Sequence, residues 1–223
     1  MLRRFFQFVA VLAVTVSFLS AGEIIERIVA TVNGRPILQS DWDEAVRYEA
    51  FANQQSLSSL TRQQRRATLD RLIDQHLLRE QMKDSDFDHA TVEQVNKGIA
   101  EIRGRYNDST EEAWQTDLQR YGLTPKDIAR HVRLQINLDR LIDVRLRPSI
   151  HIDQGSVEAY YREQLIPELR KSGVKVEPLV DVSPKIEELL TQKKIDELLT
   201  AWLRDLRVQS DIQVEGADGI TAR

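Results

Sequence analysis

The chain has 223 residues, 41% hydrophobic and 30% charged, with a net charge of −4. That composition fits one or two globular domains and lacks the basic excess of a nucleic-acid binder. It contains no cysteine, which excludes disulfides, a thiolate nucleophile and zinc–thiolate sites.

Residues 1–22 read as a secretory signal peptide. Basic "MLRR" leads into "FFQFVAVLAVTVSFL", broken only by Gln7, and Ser20 and Gly22 supply the small residues of a cleavage site before Glu23. Cleavage is expected after Gly22, with Ala21 as the alternative. A retained anchor is the competing reading, but the run is short of the roughly 20 apolar residues that cross a bilayer. Removing residues 1–22 takes away Arg3 and Arg4 and no acid, leaving a net charge of −6.

The stretch "IVATVNGRPILQSDW" at 28–42 predicts a β-hairpin followed by a helix. Ile28, Ala30 and Val32 alternate with Val29 and Thr31, and Asn33 and Gly34 form the preferred two-residue type I′ turn. Ile37 and Leu38 continue the return strand. Ser40 is expected as the N-cap of the helix, with Asp43 at its third position. Trp42, Ala45, Val46, Tyr48 and Phe51 lie along it, and it fades in "NQQSLSS".

The chain then reads as a series of helices. Thr61 with Gln64 caps the next one, which carries Leu69, Leu72, Ile73, His76, Leu77 and Glu80 at three-four spacing. "KDSDFDHA" is a loop. Thr91 with Gln94 caps a helix bearing Val92, Val95, Ile99, Ile102 and Tyr106. Ser109 with Glu112 is expected to cap a short one with Trp114, Leu118 and Tyr121, ended by Gly122. Thr124, with Pro125 at the favourable first position, opens a long helix to about Arg147. Asp153 opens another, which Pro167 ends or kinks. Residues 171–182 form a connector, and Ser183 with Pro184 caps a last helix that carries Ile195, Leu198, Leu199, Trp202, Leu203 and Leu206. Ile212 and Val214 in "SDIQVEG" mark a short strand, and residues 216–223 are expected to be a disordered tail.

The fold class is therefore mainly α, a multi-helix domain over residues 23–215 with a small antiparallel sheet. A two-stranded hairpin alone is marginal, so the C-terminal strand is its natural third member. Pro36 decides where that strand goes. Val32 pairs with Arg35 across a two-residue turn, so Thr31 opposes Pro36 and the amide of residue 36 points away from the partner strand. Pro36 has no N–H to offer there, so the return strand must be the edge. The C-terminal strand is expected on the side of the first strand.

No catalytic signature survives inspection: there is no G-x-S-x-G, H-E-x-x-H, P-loop or G-x-G-x-x-G. The four histidines are scattered, and His76 reads as a packed core residue. Asp84, Asp86 and Asp88 have the spacing of calcium-loop positions 1, 3 and 5, but His89 stands where Gly is needed and Val95 where Glu is needed. Carboxylate pairs such as Glu111 and Glu112 read as solvated helix faces. Most aromatics are expected in the core. Tyr48, Phe51 and Trp114 sit near helix ends beside loops, and are the candidates to line a groove for an extended apolar segment of another protein.

Three stretches together carry a resemblance. They are "ERIVATVNGRPILQSDWDEAV" after the signal segment, "RATLDRLIDQHLLREQMK" some thirty residues on, and the C-terminal "IEELLTQKKIDELLTAWLRDLRVQSDIQV". In that order they resemble the SurA-type periplasmic chaperones and related parvulin-type foldases. Those proteins open with V-N-G-x-x-I-x-x-S-D, matched by Val32, Asn33, Gly34, Ile37, Ser40 and Asp41. Their helix pattern L-x-x-L-I-x-x-x-L-L is matched at Leu69, Leu72, Ile73, Leu77 and Leu78, and their W-L-x-x-L-R ending at Trp202, Leu203, Leu206 and Arg207. The resemblance implies one core module built from N- and C-terminal parts, with parvulin isomerase domains inserted between them. Here the insertion point falls between about Ile150 and Val182, where 33 residues already include a helix and leave no room for an independent domain.

The resemblance thus implies a periplasmic holdase-type chaperone without its prolyl isomerase. Its partners would be unfolded exported or outer-membrane proteins, bound without catalytic residues, cofactor, metal or nucleic acid, and without stable membrane insertion after signal cleavage. The alternatives are an assembly or structural subunit with one fixed partner, and a degenerate peptidyl-prolyl isomerase.

Overall fold

Strand β1 (Ile28–Val32) turns at Asn33 and Gly34 and returns as β2 (Arg35–Leu38). The computed structural model describes residues 26–83, 89–106 and 110–215. The signal segment, the acidic loop at 84–88, the Ser109 cap and the tail at 216–223 lie outside them. Asn33 and Gly34 adopt φ of 51° and 74°, the left-handed pair that a type I′ turn demands. Val32 pairs with Arg35 and Thr31 with Pro36, as expected, but the register shifts between Ile28 and Ala30. This bulge at Val29 turns Val29 into the core and leaves Ile28 42% exposed, so the simple alternation fails at the strand's start.

Helix α1 (Gln39–Ala52) begins before the expected cap at Ser40. The sheet and two acids instead meet the N–H groups at the strand–helix junction, so the helix starts ahead of Ser40. Gln39 N–H donates to the Arg27 carbonyl at 2.8 Å, Leu38 N–H to the Asp41 carboxylate at 3.1 Å, and Ser40 N–H to the Glu26 carboxylate at 3.0 Å. Helices α2 (Arg62–Met82), α3 (Val92–Tyr106) and α5 (Pro125–Leu146) start where their caps predict. Thr61 pairs with Gln64, Thr91 with Gln94, and Thr124 with Asp127 behind Pro125. In α4 (Glu111–Arg120) the cap is Thr110, whose hydroxyl accepts the Ala113 N–H.

Helix α6 (Gln154–Tyr160) is capped by Asp153 and continues through a π-helical turn (Tyr161–Leu165) into α7 (Ile166–Lys171). The widened turn falls just ahead of Pro167, whose ring cannot sit against the carbonyl of Glu163 in a regular helix. Helix α8 (Leu179–Gln209) starts earlier than the expected Ser183 cap and carries Pro184 inside it. The connector therefore shrinks from 171–182 to 172–178. Val182 and Ile186 pack with Val157 in a small core, and this packing draws the first turns of α8 into helix. The carbonyl that loses its donor to Pro184 belongs to Val180, a residue 79% exposed, where water can serve it.

The chain closes as β3 (Ile212–Val214), in the strand order β2-β1-β3 that Pro36 predicts. Ala30, Thr31 and Val32 face Val214, Gln213 and Ile212. The hairpin turn clamps this strand. Asn33 N–H donates to the Asp211 carbonyl at 2.8 Å, its side-chain oxygen accepts the Asp211 N–H at 3.0 Å, and its side-chain amide donates to Glu80 at 2.6 Å and Ser210 at 3.3 Å. Arg207 adds a second tie, to the Asp74 carboxylate at 2.6 Å and the Asp70 carbonyl at 2.8 Å.

Three apolar clusters organise the molecule. The first joins the sheet to α1, α2 and the facing ends of α5 and α8 through Val32, Ile37, Trp42, Ile73, Leu141 and Leu206. The second packs the end of α1 against α3, α4 and α5 around Phe51, Leu118 and Ile128. Here α3 and α5 approach so closely that a Cβ built on Gly98 would lie 2.7 Å from Val132 Cγ1. The third holds α6, the π turn and the first half of α8.

Candidate client-binding surface

The aromatics singled out by sequence do not come together as an open groove. Phe51 is fully buried and Trp114 is 2% exposed. Phe51 is the hub of a ring cluster: Tyr106 stacks on it at 4.7 Å, and Trp114 and Tyr121 meet it edge-on at 5.7 and 5.5 Å. The Tyr106 hydroxyl also donates to the Phe51 carbonyl. The end of α1 looked like a free helix end in the sequence, but α3 and α4 fold over it, and both rings serve the second core. Tyr48 is half-buried on another face of α1, stacked on His131 of α5 at 3.9 Å. Burial raises the Tyr48 phenol above its ordinary value.

His131 sits in a polar seam between α1 and α5. Its Nε2 lies 2.8 Å from Glu44, which also pairs with Arg130 at 2.5 Å. Burial lowers the His131 pKa, and Glu44 works against that shift. The seam satisfies its own groups and reads as a structural joint. Among the described residues, no cluster of His, Asp or Glu is arranged to hold a metal ion, and no helix is long and apolar enough to cross a membrane.

A cavity that the sequence did not reveal lies between α1 and α2. It has a volume of about 320 Å³ and is lined by four apolar residues, Val46, Ala50, Leu60 and Ala67, and by seven polar ones. Small alanines of both helices, Ala50 and Ala67, line it. Around the rim stand Glu49, Asn53, Gln64 and Arg71, and these groups are already engaged. Glu49 accepts the Arg71 Nε–H at 2.7 Å and the Thr68 hydroxyl at 2.7 Å, and Arg71 adds a second bond through Nη2. Gln64 serves the Thr61 cap, and the Asn53 amide donates to the Glu49 carbonyl at 2.9 Å. The Glu49 hydrogen bonds hold the Arg71 guanidinium more firmly protonated. A rim whose polar groups are satisfied asks for no particular polar partner, so a segment seated here would be held by burial of its apolar side chains.

This cleft, the hairpin and helices α1 to α5 fall almost wholly within one matched span: the family model of the SurA-like N-terminal domain matches residues 2–142. The chain belongs to the SurA-like N-terminal domain family. Curated proteins returned no match. The family has a chaperone-type role, and its members bind client peptides or proteins in general. In this SurA-like chain the matched span ends near the close of α5, so α6, α7, α8 and β3 are contributed by residues beyond it.

Only a partial signal for the cleft was present in the sequence. Val46, Glu49, Ala50 and Asn53 recur at three-four spacing, as do Leu60, Gln64, Ala67 and Arg71. Val46 and Ala50 also belong to the two cores, and Leu60 precedes α2, so the spacing alone does not mark a cleft. Only the packing of the two helices brings these positions to one cavity.

Proposed function

We propose that this protein is a periplasmic holdase-type chaperone that binds unfolded exported proteins, outer-membrane precursors among them, in the α1–α2 cleft. The observation that carries the reading is a cleft between α1 and α2, lined by Val46, Ala50, Leu60 and Ala67 and by polar groups most of which bond to one another, inside a SurA-like domain. Client side chains enter one at a time, and weak contacts sum along an extended segment. Binding of this kind uses no catalytic residue and no cofactor. The signal-like residues 1–22 support export, and mass spectrometry of the protein made in its host should find a chain beginning at Glu23.

The test of the cleft is Ala67→Leu, which fills it with apolar volume at a partly buried position. The variant should fold as the parent does and lose most of its ability to slow aggregation of a urea-diluted outer-membrane β-barrel protein. Unchanged suppression by Ala67→Leu would remove the cleft from the reading. No suppression by the parent protein would remove the holdase function itself and favour an assembly subunit with one fixed partner.

A further inference from the structure

The two edges of the small sheet are protected to different degrees. In β2 the residues whose amides point outward are 36 and 38, because Arg35 and Ile37 pair inward with β1. Pro36 has no N–H, and the Leu38 N–H is taken by the Asp41 carboxylate at 3.1 Å. That edge offers no donor to an incoming strand. In β3 the ladder to β1 runs through the Asp211, Gln213 and Glu215 positions, with Asn33 N–H on the Asp211 carbonyl and Glu215 N–H on the Val29 carbonyl. The backbone groups of Ile212 and Val214 therefore point outward, and no described residue pairs with them. Their side chains lie on the core-facing side, opposite Val32 and Ala30, yet Val214 is still 36% exposed. The inner face is incomplete at this edge.

We infer that the β3 edge is a strand-addition site for an extended client segment with the pattern basic–apolar–any–apolar–basic. This inference rests on the client-binding reading above and names the recognition chemistry. Two apolar residues of the segment would pair with Ile212 and Val214 through their backbones and cover the open inner face. Basic residues on either side would fall opposite the exposed Asp211 and Glu215, which flank β3 on the outer face. The side-chain amide of Gln213 lies 3.3 Å from the Asp211 carboxylate and leaves its charge in place. The same two acids argue against a second copy as occupant. A two-fold antiparallel pair of β3 strands centred on Gln213 would set Asp211 of each chain against Glu215 of the other, and like charges directly opposed destabilise a sheet.

The probe is a fluorescent peptide with Lys-Val-Thr-Val-Lys at its centre, titrated against the full-length protein by anisotropy. The protein variant is Val214→Pro, which deletes an outward donor and leaves the ladder to β1 intact, as Pro36 does in β2. With an unchanged melting curve, it should bind the peptide about tenfold more weakly. Replacing both lysines by glutamates should weaken binding about fivefold. Should Val214→Pro fail to fold, a peptide N-methylated on both valines removes the complementary bonds, from the peptide N–H groups to the Ile212 and Val214 carbonyls, and should lose binding at least about tenfold. Equal affinity of the parent and Val214→Pro, or of the methylated and plain peptides, overturns the edge site. So does sedimentation showing a dimer that Val214→Pro dissolves. Aggregation suppression measured alongside separates the two readings. Suppression that persists without edge binding leaves the chaperone reading standing alone, and edge binding without suppression leaves only the edge.

Discussion

Replacing Asn33 by glycine should loosen the clasp that joins the two ends of the fold. Glycine keeps the left-handed turn conformation, so the substitution removes only what the side chain does. That side chain accepts the Asp211 N–H at 3.0 Å and donates to Glu80 at 2.6 Å and Ser210 at 3.3 Å. All three bonds are exposed, so each contributes at the low end of the usual range, about 0.5 kcal/mol. Glycine adds about 0.5 kcal/mol more by freeing the unfolded chain. The total is about 2 kcal/mol, which for a chain of this size lowers Tm by about 4–8 °C. Asn33→Ala should cost about 1 kcal/mol beyond the glycine variant, because alanine is strained at a φ of 51°. Urea denaturation measures the totals. Hydrogen exchange locates them: amides of β3 and the end of α8 should exchange faster, and those around Phe51 should not. A glycine variant as stable as the parent, or one whose β3 exchange is unchanged, would refute the clasp.

Phe51→Ala should cost about 3–5 kcal/mol in urea denaturation and leave client affinity per folded molecule unchanged; a selective loss of affinity would return Phe51 to the binding surface. Gly98→Ala should destabilise by about 1–3 kcal/mol despite alanine's better helix propensity, because its Cβ would meet Val132 Cγ1 at 2.7 Å. Val132→Ala in the same chain should recover part of that loss, and purely additive losses would show that the close approach is not the cause. Burial lowers the pKa of both His76 and His131 from the ordinary value of about 6.5. The unfolded chain therefore takes up protons first, and stability that is fully present above about pH 6.5 declines as the pH falls through the folded values. Urea midpoints should drop between pH 7.5 and 5.5, and His131→Gln should flatten the slope; a midpoint that rises on acidification reverses the sign of the argument.

The helix starts that were legible in the sequence are those made by contacts three residues apart. Thr61 with Gln64 and Thr91 with Gln94 carry their own hydrogen-bonding solution, and Pro125 behind Thr124 fixes a first turn in which Thr124 bonds Asp127, so nothing distant is needed to place them. Of the three misplaced starts, that of α4 moves by one residue, from Ser109 to Thr110, and the other two have distant causes. At α1 the Arg27 carbonyl and the Glu26 carboxylate take the Gln39 and Ser40 N–H groups and let the helix begin ahead of Ser40. At α8 the contact of Val182 and Ile186 with Val157 extends the helix across Pro184. The binding surface was less legible still. Phe51 and Trp114 look terminal in a linear reading, and only the folding of α3 and α4 over the end of α1 buries them.

What the sequence determined by itself is local or stereochemical. Pro36 cannot donate a hydrogen bond, and that single missing N–H was enough to order a three-stranded sheet whose outer members lie some 170 residues apart. Asn33 and Gly34 likewise specify their turn, because few other residues accept a positive φ. Tertiary structure alone decided what depends on two surfaces meeting. The cleft forms because α1 and α2 bring Ala50 and Ala67 to one cavity, and β3 is left with free outward groups because β1 covers one of its edges and no described strand covers the other. Burial and vacancy belong to pairs of elements, and a periodic pattern on one helix does not say which face its neighbour will cover.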